Sequence, residues 1–449
     1  MSAQNKQTAV VLGSGIAGLS TAYELDKAGY TVTVLESKHL AGGRMAEEMV
    51  GSFMNVTGAM GLNSYYTEMF DLCKELGIMD QVVKLPRFGT GTITDMNITF
   101  PMSNNPSKLD LLTSPALSIK SKLKLAGLLP DFMMAKRKTD PCLIHTAAHL
   151  DTESMSTYLI RKVGADFLEK VASPLLNVAL AWNVDRTSKG AFLSKVANIT
   201  ESDGYVFRDG IGTLTRKLSS MLDVRLNTRV TSVDRAESGQ GRVVHFEGPE
   251  GAGSIDADIV VSAIPGDAVK KVVKDMASWE QDFFDQKVPY AQYAMMVYVL
   301  KEQVTNPDGL YFVRNSPTPL NFYKTYAGDD SKEGHPPHLW VAFSPERLKH
   351  YFREDGSDFE EKAAQYVREY YPTLDEDTKE TVVQFNGYRM PEFPVGQITR
   401  VRDLLYTQEC GPKDVYYVGD YLAGAGTGNA LAIGRRTGRI IVDHWKSCH

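Results

Sequence analysis

The sequence predicts an α/β fold with a second, α+β domain. Three observations lead to this prediction. Near the start, an apolar run ending at Leu12 predicts a buried strand, followed by glycines and a helix. Near the end, the apolar run 415–418 predicts another buried strand, followed by an acid, a glycine-rich turn and a helix. Between about 280 and 395, alternating strands indicate an antiparallel sheet. The parallel-sheet part is therefore Rossmann-like and assembled from distant stretches of sequence.

The first glycine motif has the spacing and context of a dinucleotide-binding turn. Gly13 permits the tight turn, Gly15 lets a pyrophosphate approach the backbone, and Gly18 lets the helix lie close on the strand. A second strand, 31–35, ends at Glu36, a carboxylate placed to accept hydrogen bonds from a ribose, which argues against a 2′-phosphate. The residues predicted to bind here are Gly13, Ser14, Gly15, Ile16, Ala17, Gly18, Glu36 and Ser37.

The sequence Gly42-Gly43-Arg44, directly after the ribose acid, resembles the flavin amine oxidase, protoporphyrinogen oxidase and desaturase superfamily. The resemblance implies FAD as the cofactor, with the Gly-Gly-Arg turn along its diphosphate. It also places the small-residue loop Gly58, Ala59 and Met60 against the flavin ring, and the backbone of Val230 beside the adenine.

The C-terminal motif supplies the second part of the predicted FAD site. In the family that the sequence resembles, the residue matching Asp420, after Gly419, hydrogen-bonds FAD near its ribityl chain and diphosphate. The helix that begins near Thr427, Gly428 and Asn429 would direct its N-terminus at the N1/C2=O edge of the flavin. Such a helix terminus stabilises negative charge on the reduced ring.

Length and composition bound the remaining possibilities. With 449 residues, 43% apolar and 23% charged, the chain is predicted to form two globular domains. Residues 1–79, 201–279 and 396–449 would form the FAD-binding domain, and residues 80–200 and 280–395 the substrate domain. A net charge of −6 argues against nucleic acid. No signal peptide, membrane span or metal-binding cysteine pattern is found, so we expect a cytoplasmic protein without a metal.

The segment 118–138 leaves three alternatives open. Basic residues flank an apolar middle that contains Met133 and Met134, a pattern that could dock on a membrane surface or form a wall over an apolar substrate. It could equally be two ordinary amphipathic helices with solvated lysines. Pro130 would interrupt any single long interfacial helix.

The predicted chemistry follows from comparison with the amine-oxidising members of that superfamily. Many of them carry a lysine at the position of Met295, and an aromatic cage where this chain has Gly426 and its neighbours; Tyr388 is a candidate for the other cage position. We expect Gly426 to leave open space beside the flavin. The absence of cysteine in 386–396 predicts non-covalent FAD.

These departures favour removal of hydride from an apolar small molecule, with transfer to flavin N5. The alternatives are a flavin-dependent double-bond isomerase, a flavin amine oxidase, and an FAD-binding protein without enzymatic activity. No catalytic residue is identifiable from the sequence.

Overall fold

The protein is described by a computed structural model over residues 6–85, 90–95, 98–103, 112–199, 202–305 and 308–448. The strands, in chain order, are β1 Thr8–Leu12, β2 Thr31–Leu35, β3 Glu47–Val50, β4 Phe53–Val56, β5 Leu62–Asn63, β6 Val82–Lys84, β7 Thr90–Asp95, β8 Ile98–Ser103, β9 Gly204–Phe207, β10 Asp223–Arg225, β11 Arg229–Arg235, β12 Arg242–Gly248, β13 Gly251–Ala257, β14 Ile259–Ser262, β15 Tyr290–Leu300, β16 Gly309–Phe312, β17 Leu320–Tyr326, β18 His338–Phe343, β19 Thr378–Pro391 and β20 Val415–Tyr417.

The α-helices of the described residues are α1 Ile16–Lys27, α2 Thr67–Glu75, α3 Ile119–Lys124, α4 Leu129–Lys138, α5 Met155–Lys162, α6 Ala165–Phe167, α7 Ser173–Leu180, α8 Lys189–Ile199, α9 Thr213–Ser219, α10 Gly266–Val272, α11 Ser278–Phe284, α12 Leu348–Tyr351, α13 Phe359–Arg368, α14 Leu374–Asp377, α15 Gln397–Glu409, α16 Asp420–Ala423 and α17 Thr427–Cys448. None of these helices is both long and apolar enough to cross a membrane.

A five-stranded parallel sheet in the order β10-β2-β1-β14-β20 confirms the predicted Rossmann-like α/β fold. Leu12 at the end of β1 pairs with Leu35 on one side and with Ser262 on the other. Ser262 in turn pairs with Tyr417, which follows it by more than 150 positions in the printed sequence. The central strands are almost fully buried, which explains their continuous apolar runs.

Helix α17 packs on α1 and thereby joins the two ends of the chain. A side chain at Gly434 would collide with the Ala17 carbonyl, so the two helices approach at the level of their backbones. The buried guanidinium of Arg435 adds an ion pair of 2.6 Å to Glu24 on α1. This packing places the N-terminal ends of both helices on the same part of the molecule.

Two neighbouring strands, β10 and β11, belong to different sheets although only three residues separate them. β10 joins the parallel sheet, and β11 joins the antiparallel sheet β11-β12-β13. Asn227 between them has φ 52°, a left-handed conformation that ends an extended strand. Its N–H donates to the Lys38 carbonyl, so the turn is fixed against the chain that follows Glu36.

The sheet predicted to be antiparallel has seven strands, in the order β19-β15-β18-β17-β16-β7-β8, and it is mixed, because β16 and β7 pair in parallel. It includes β17, for which the sequence predicts no strand. Both faces of β15 are buried. Met295 and Val297 point into the large core shared with the parallel sheet, whereas Met296 and Tyr298 belong to an outer core with α13. One face of this sheet therefore packs into the core that it shares with the parallel sheet.

The segment 118–138 forms α3 and α4, joined by a 3₁₀ turn at Leu125–Leu128. Pro130 lies in the first turn of α4, where its missing N–H costs no hydrogen bond. Ile119, Leu123 and Met133 are 78%, 76% and 66% exposed. Leu128 is buried, and Leu125, Phe132 and Met134 pack against the core, so one apolar face of the segment is covered and another is exposed.

Candidate cofactor and active site

The first glycine motif lies between the end of β1 and the start of α1. Gly13 has φ 96°, which only glycine adopts readily, and a side chain at Gly18 would collide with the Gly13 carbonyl. At Gly15, by contrast, a side chain would meet no protein atom within 4 Å. The first intrahelical bond of α1 runs from the Leu19 N–H to the Gly15 carbonyl, so the N–H groups before it have no helical partner. The open space before Gly15 thus suits an anion.

Glu36 closes one side of this turn. One carboxylate oxygen accepts hydrogen bonds from the Ser14 N–H at 2.9 Å and the Ser14 hydroxyl at 2.7 Å. The other accepts from the Lys38 N–H at 2.9 Å. A carboxylate has about four acceptor positions. The fourth position of Glu36 faces the Ser37 hydroxyl at 3.4 Å, a long contact that a ligand hydroxyl could replace. Ser37, predicted to bind at this point, is exposed.

The segment Gly42–Arg44 lies directly beside the first motif. The Gly42 N–H donates to the Ser14 carbonyl at 3.0 Å, and Gly43 approaches the Cα of Gly15. The Ala59 N–H donates to the Arg44 carbonyl at 2.8 Å. These contacts bring the first motif, the Gly-Gly-Arg turn and the 58–60 loop together, although Met60 at the end of that loop is 49% exposed.

Arg44 and Asp420 connect the N-terminal and C-terminal motifs. An Arg44 guanidinium nitrogen lies 2.6 Å from an Asp420 carboxylate oxygen. Asp420 is buried and directly follows Gly419, at the start of the short helix α16. Arg44 supplies a cation that can bind phosphate, and Asp420 supplies an anion that can accept hydrogen bonds from hydroxyls. A dinucleotide presents both phosphates and hydroxyls.

Val230 lies on β11, close to the chain that follows Glu36. It pairs with Phe246, and the strand register shifts between Val230 and Ser232. The Thr228 N–H donates to the Glu36 carbonyl at 2.7 Å, which fixes β11 beside the predicted ribose position. A register shift leaves backbone N–H and C=O groups of β11 unpaired in the sheet. Such groups are free to hydrogen-bond a base.

Gly426 does not border open space, and that prediction is wrong. Its φ is 145°, and a side chain there would lie 2.8 Å from both the Tyr66 hydroxyl and the Asn429 amide oxygen. The Tyr66 ring also lies against Gly428 in the first turn of α17, which begins at Thr427. Glycine at 426 is therefore explained by its backbone conformation and its packed surroundings.

Lys195, which the sequence analysis did not select, reaches the same place from α8. Its side chain is buried, and its Nζ donates to the Asn429 amide oxygen at 2.6 Å. The rings of Tyr65 and Tyr66 lie 5.4 and 5.8 Å from this nitrogen. The Asn429 amide nitrogen donates to the carbonyls of Pro141 and Ala423. All polar atoms of the Asn429 side chain are thus engaged within the protein. We refer to Tyr65, Tyr66, Lys195, Gly426 and Asn429 as the Lys195 cluster.

Burial controls the protonation of this cluster. It lowers the pKa of Lys195 to about 8, and among the described residues no carboxylate forms an ion pair with this lysine. Burial also raises the pKa of Tyr66 and of the neighbouring Cys142 thiol to about 12, and raises the pKa of Tyr65. Lys195 is therefore the group of the cluster whose charge changes near pH 8.

On the face toward the large core, side chains of the seven-stranded sheet form an apolar wall. Met295 on β15 accepts a hydrogen bond from the Trp340 indole N–H at 3.1 Å. The Trp340 ring packs edge-on against Phe322 at 5.4 Å, and Phe322 lies 4.7 Å from Tyr311. Tyr388 pairs with Tyr293 through its backbone, but its side chain lies outside the described residues.

The sequence contains weak signals for the residues that were missed. Lys195 stands among Phe192, Val196 and Ile199 at helical spacing, so it is a single charge on an apolar stripe. Tyr66 stands at helical spacing with Met69 and Phe70, a pattern typical of an apolar helix face that does not indicate contact with the C-terminal motif. Nothing in the sequence around Phe322 distinguishes it from an ordinary core residue. No group of residues that could hold a metal ion occurs in the described part of the chain.

Comparison with known proteins relates this site to flavoproteins. The family model for flavin-containing amine oxidoreductases matches residues 16–442. Protoporphyrinogen oxidase 2 of Arabidopsis thaliana is 26% identical over 46% of the chain and 39% of its own length. A zeta-carotene desaturase of Zea mays is 28% identical over 35% of the chain and 29% of its own length. The chain thus spans well under half of these relatives.

Solved structures share the fold along nearly the entire chain. A putative protoporphyrinogen oxidase from Exiguobacterium sp. 255-15 superposes with a TM-score of 0.70 at 18% identity, covering 97% of this chain and 98% of that one. A wild-type putrescine oxidase bound to putrescine gives a TM-score of 0.73 at 16% identity, covering 98% and 99%. At these identities the likeness concerns the fold alone.

Proposed function

The chain belongs to the family of flavin-containing amine oxidoreductases, and on this premise we propose that it binds FAD non-covalently and removes hydride from an apolar small molecule. It is a flavin-dependent oxidoreductase. The observation that carries the choice of substrate class is the Trp340–Met295 hydrogen bond within an apolar wall. A thioether with its sulfur already engaged has no charge and no donor with which to activate an amine.

The residues present fit FAD. Gly15 supports this fit because its side-chain position faces open space that no protein atom fills. Glu36 would accept from the ribose hydroxyls of the adenosine, and the N–H groups of the first turn of α1 would bind the diphosphate together with Arg44. Asp420 would accept from ribityl hydroxyls. When bound, the flavin supplies the hydride acceptor.

The protein's own contribution to the reaction is binding, orientation and exclusion of water. Met295, Phe322 and Trp340 are buried, so a substrate that reached them would be shielded from solvent. A flat, apolar or conjugated molecule fits such a wall by its shape and its surface. The names of the relatives, a protoporphyrinogen oxidase and a carotene desaturase, support this substrate class.

Anaerobic mixing tests the proposal. Purified protein is combined with a porphyrinogen, with zeta-carotene, or with benzylamine and putrescine, and the yellow flavin absorbance is followed. We expect an apolar compound to bleach the flavin and the amines to leave it oxidised. Bleaching by the amines alone would identify an amine oxidase, and product formed without bleaching would identify an isomerase. Protein without flavin would contradict the cofactor assignment.

We also propose that the segment 118–138 contacts the surface of an anionic membrane. Ile119 and Leu123 lie one turn apart on α3 and are more than three-quarters exposed; Met133 on α4 is 66% exposed. Lys120 and Lys124 flank the exposed residues of α3, and Lys136, Arg137 and Lys138 follow on α4, all of them exposed. This local positive charge favours anionic lipid over neutral lipid, although the entire chain carries a net charge of −6.

Vesicle sedimentation tests this contact. Wild-type protein should sediment with vesicles of phosphatidylcholine and phosphatidylglycerol, and much less with phosphatidylcholine alone. The double variant Ile119→Ser/Leu123→Ser should remain in the supernatant. Met221→Ser/Tyr406→Ser, which replaces two exposed apolar side chains elsewhere, should bind like the wild type. Wild-type protein that does not sediment with anionic vesicles would overturn the proposal.

A further inference from the structure

Arg44 is held by groups from both large sheets of the molecule. Its Nη1 lies 2.6 Å from an Asp420 carboxylate oxygen and donates to the Arg389 carbonyl at 2.8 Å. Asp420 follows β20 of the parallel sheet, whereas Arg389 lies in β19 of the seven-stranded sheet. Nη1 carries two N–H donors, so these two contacts use both of them. The Arg44 side chain is 39% exposed, and within the described residues its Nε and Nη2 have no hydrogen-bond partner.

The position of the Arg389 carbonyl depends on contacts at the end of β19. The register between β15 and β19 shifts between Tyr293 and Ala294, so the last segment of β19 is offset from the rest of the strand. Beyond this bulge, the Arg389 guanidinium forms an ion pair with Asp267 and lies 5.2 Å from the centroid of the Tyr290 ring. The Arg389 side chain therefore anchors the segment that carries its own carbonyl.

Asp267, the ionic partner of Arg389, belongs to the parallel-sheet part of the molecule. It lies at the start of α10, shortly after β14. A side chain at Gly13 would lie 3.3 Å from the carbonyl oxygen of Ala263, so the segment between β14 and α10 borders the first glycine motif. The Gly266 N–H donates to the Tyr290 hydroxyl at 2.9 Å, which fixes the same segment to the first residue of β15.

The ion pair of Arg389 and Asp267 contributes little to folding. The two side chains are 43% and 32% exposed, and partly exposed ion pairs add little to the free energy of unfolding because water screens the charges. The orientation of a neighbouring group depends on such a pair more strongly than stability does, because orientation requires only that one geometry be preferred over others.

We propose that Arg389 is a positioning residue for cofactor binding: its pair with Asp267 holds the end of β19, and its carbonyl then orients Arg44 for the diphosphate. This inference rests on the proposed FAD function. With Nη1 held by Asp420 and Arg389, the Nε and Nη2 donors of Arg44 form the fork that binds two phosphate oxygens. Cofactor affinity therefore depends on the contact between the two sheets as well as on the glycine motifs.

A double-mutant cycle on FAD affinity tests this role. Apoprotein is titrated with FAD, flavin fluorescence gives the dissociation constant, and thermal unfolding of the apoprotein is measured in parallel. Arg389→Met should weaken FAD binding about tenfold, because a charge-assisted contact would be misplaced, while thermal unfolding stays nearly unchanged. Asp267→Asn should have the same effect, and Arg389→Lys should recover part of the affinity. In an Arg44→Met background, Arg389→Met should cause no further loss.

Arg368→Met is the matched control. Arg368 is 42% exposed and pairs with Asp375 at 2.9 Å in the same part of the molecule, so its replacement should leave FAD affinity unchanged. Wild-type affinity in both Arg389→Met and Asp267→Asn would overturn the proposal. So would an equal loss from Arg389→Met with and without Arg44, because Arg389 would then act on FAD by itself.

Two further outcomes are separated by the same titration. If Arg389→Met does not fold, Asp267→Asn, which keeps the shape of the carboxylate, takes its place in the cycle with Arg44→Met. An Asp267→Asn loss that persists in full without Arg44 then overturns the proposal. Wild-type apoprotein that binds no FAD refutes the proposed function instead.

Discussion

The two ends of the candidate flavin site use different physical means. At the dinucleotide end, formed by Gly13, Gly15, Gly18 and Glu36, the groups available to a ligand are backbone N–H groups and one carboxylate. In the Lys195 cluster, the groups are buried side chains contributed by the residues just before α2, by α8 and by the first turn of α17. The first end is built within one short segment, whereas the second exists only where three distant segments meet.

This difference predicts different responses to mutation. At the dinucleotide end, binding depends on the space in front of the backbone, so substitutions can abolish binding while the protein remains folded. In the Lys195 cluster, the same side chains pack the core and carry the charge, so changes there alter stability and electrostatics together. Four predictions test this contrast, from the largest expected effect to the smallest.

Two leucine substitutions separate binding from folding at the dinucleotide end. Gly18→Leu should prevent folding, because its side chain would collide with the Gly13 carbonyl. Gly15→Leu should leave thermal unfolding of the flavin-free protein unchanged, since φ −63° is open to all residues and the space is empty. It should reduce FAD affinity by more than about a hundredfold, because the first α1 turn could no longer approach a diphosphate. Circular dichroism and released flavin measure the two properties, and a Gly15→Leu protein with full FAD content would refute this account.

Glu36→Ala should weaken FAD binding by about ten- to a hundredfold. The substitution removes an acceptor for ligand hydroxyls, and charge-assisted hydrogen bonds contribute about 1.5–3 kcal/mol each. It also removes the acceptor for the Ser14 N–H at 2.9 Å, which loosens the turn. Fluorescence titration of the apoprotein with FAD gives the dissociation constant. Glu48→Ala is the control, since this exposed acid pairs with His39 and does not contact the turn; equal losses in both variants would contradict the assignment.

Gly426→Ala should destabilise the protein by about 1–3 kcal/mol, the range for a strained backbone conformation. The methyl group would also meet the Tyr66 hydroxyl and the Asn429 oxygen at 2.8 Å. Gly411→Ala provides the comparison, because Gly411 has φ 100° and no atom within 4 Å of its side-chain position. The free energy of unfolding in urea should fall more for Gly426→Ala. If Gly426→Ala lowered the free energy of unfolding no more than Gly411→Ala does, the result would support open space beside Gly426.

The smallest effect is a pH dependence of stability that arises from Lys195. Its pKa is about 8 in the folded protein and about 10.5 when solvated, so between these values the unfolded chain binds more protons. The free energy of unfolding therefore gains a contribution as pH rises from about 7 to 9.5, on the order of 1–2 kcal/mol for this one group. Lys195→Met apoprotein should lack that gain and be more stable than wild type at pH 7. If the free energy of unfolding changed with pH in the same way in the wild type and in Lys195→Met, Lys195 would not be buried as a cation.

The sequence by itself determined the dinucleotide half of the molecule. β2 is found at 31–35 as expected, and Glu36 follows it beside the Gly13 turn. Such features are predictable because a strand, a turn of defined backbone conformation and a helix are specified by neighbouring residues. The parallel sheet was predictable for the same reason, since its buried strands are continuous apolar runs even when they are far apart in the chain.

Only the tertiary structure decided the surroundings of Lys195, Met295 and Gly426. Whether a lysine on an apolar helix face extends into solvent or is buried depends on which distant segments exclude water around it. In this protein Tyr66, from a segment more than a hundred residues earlier in the sequence, and Asn429, more than two hundred residues later, enclose it. The same enclosure fills the space beside Gly426, and the partner of Met295 is an indole on another strand. Packing between distant segments has no local signature, because it depends on the fold that all of these segments form together.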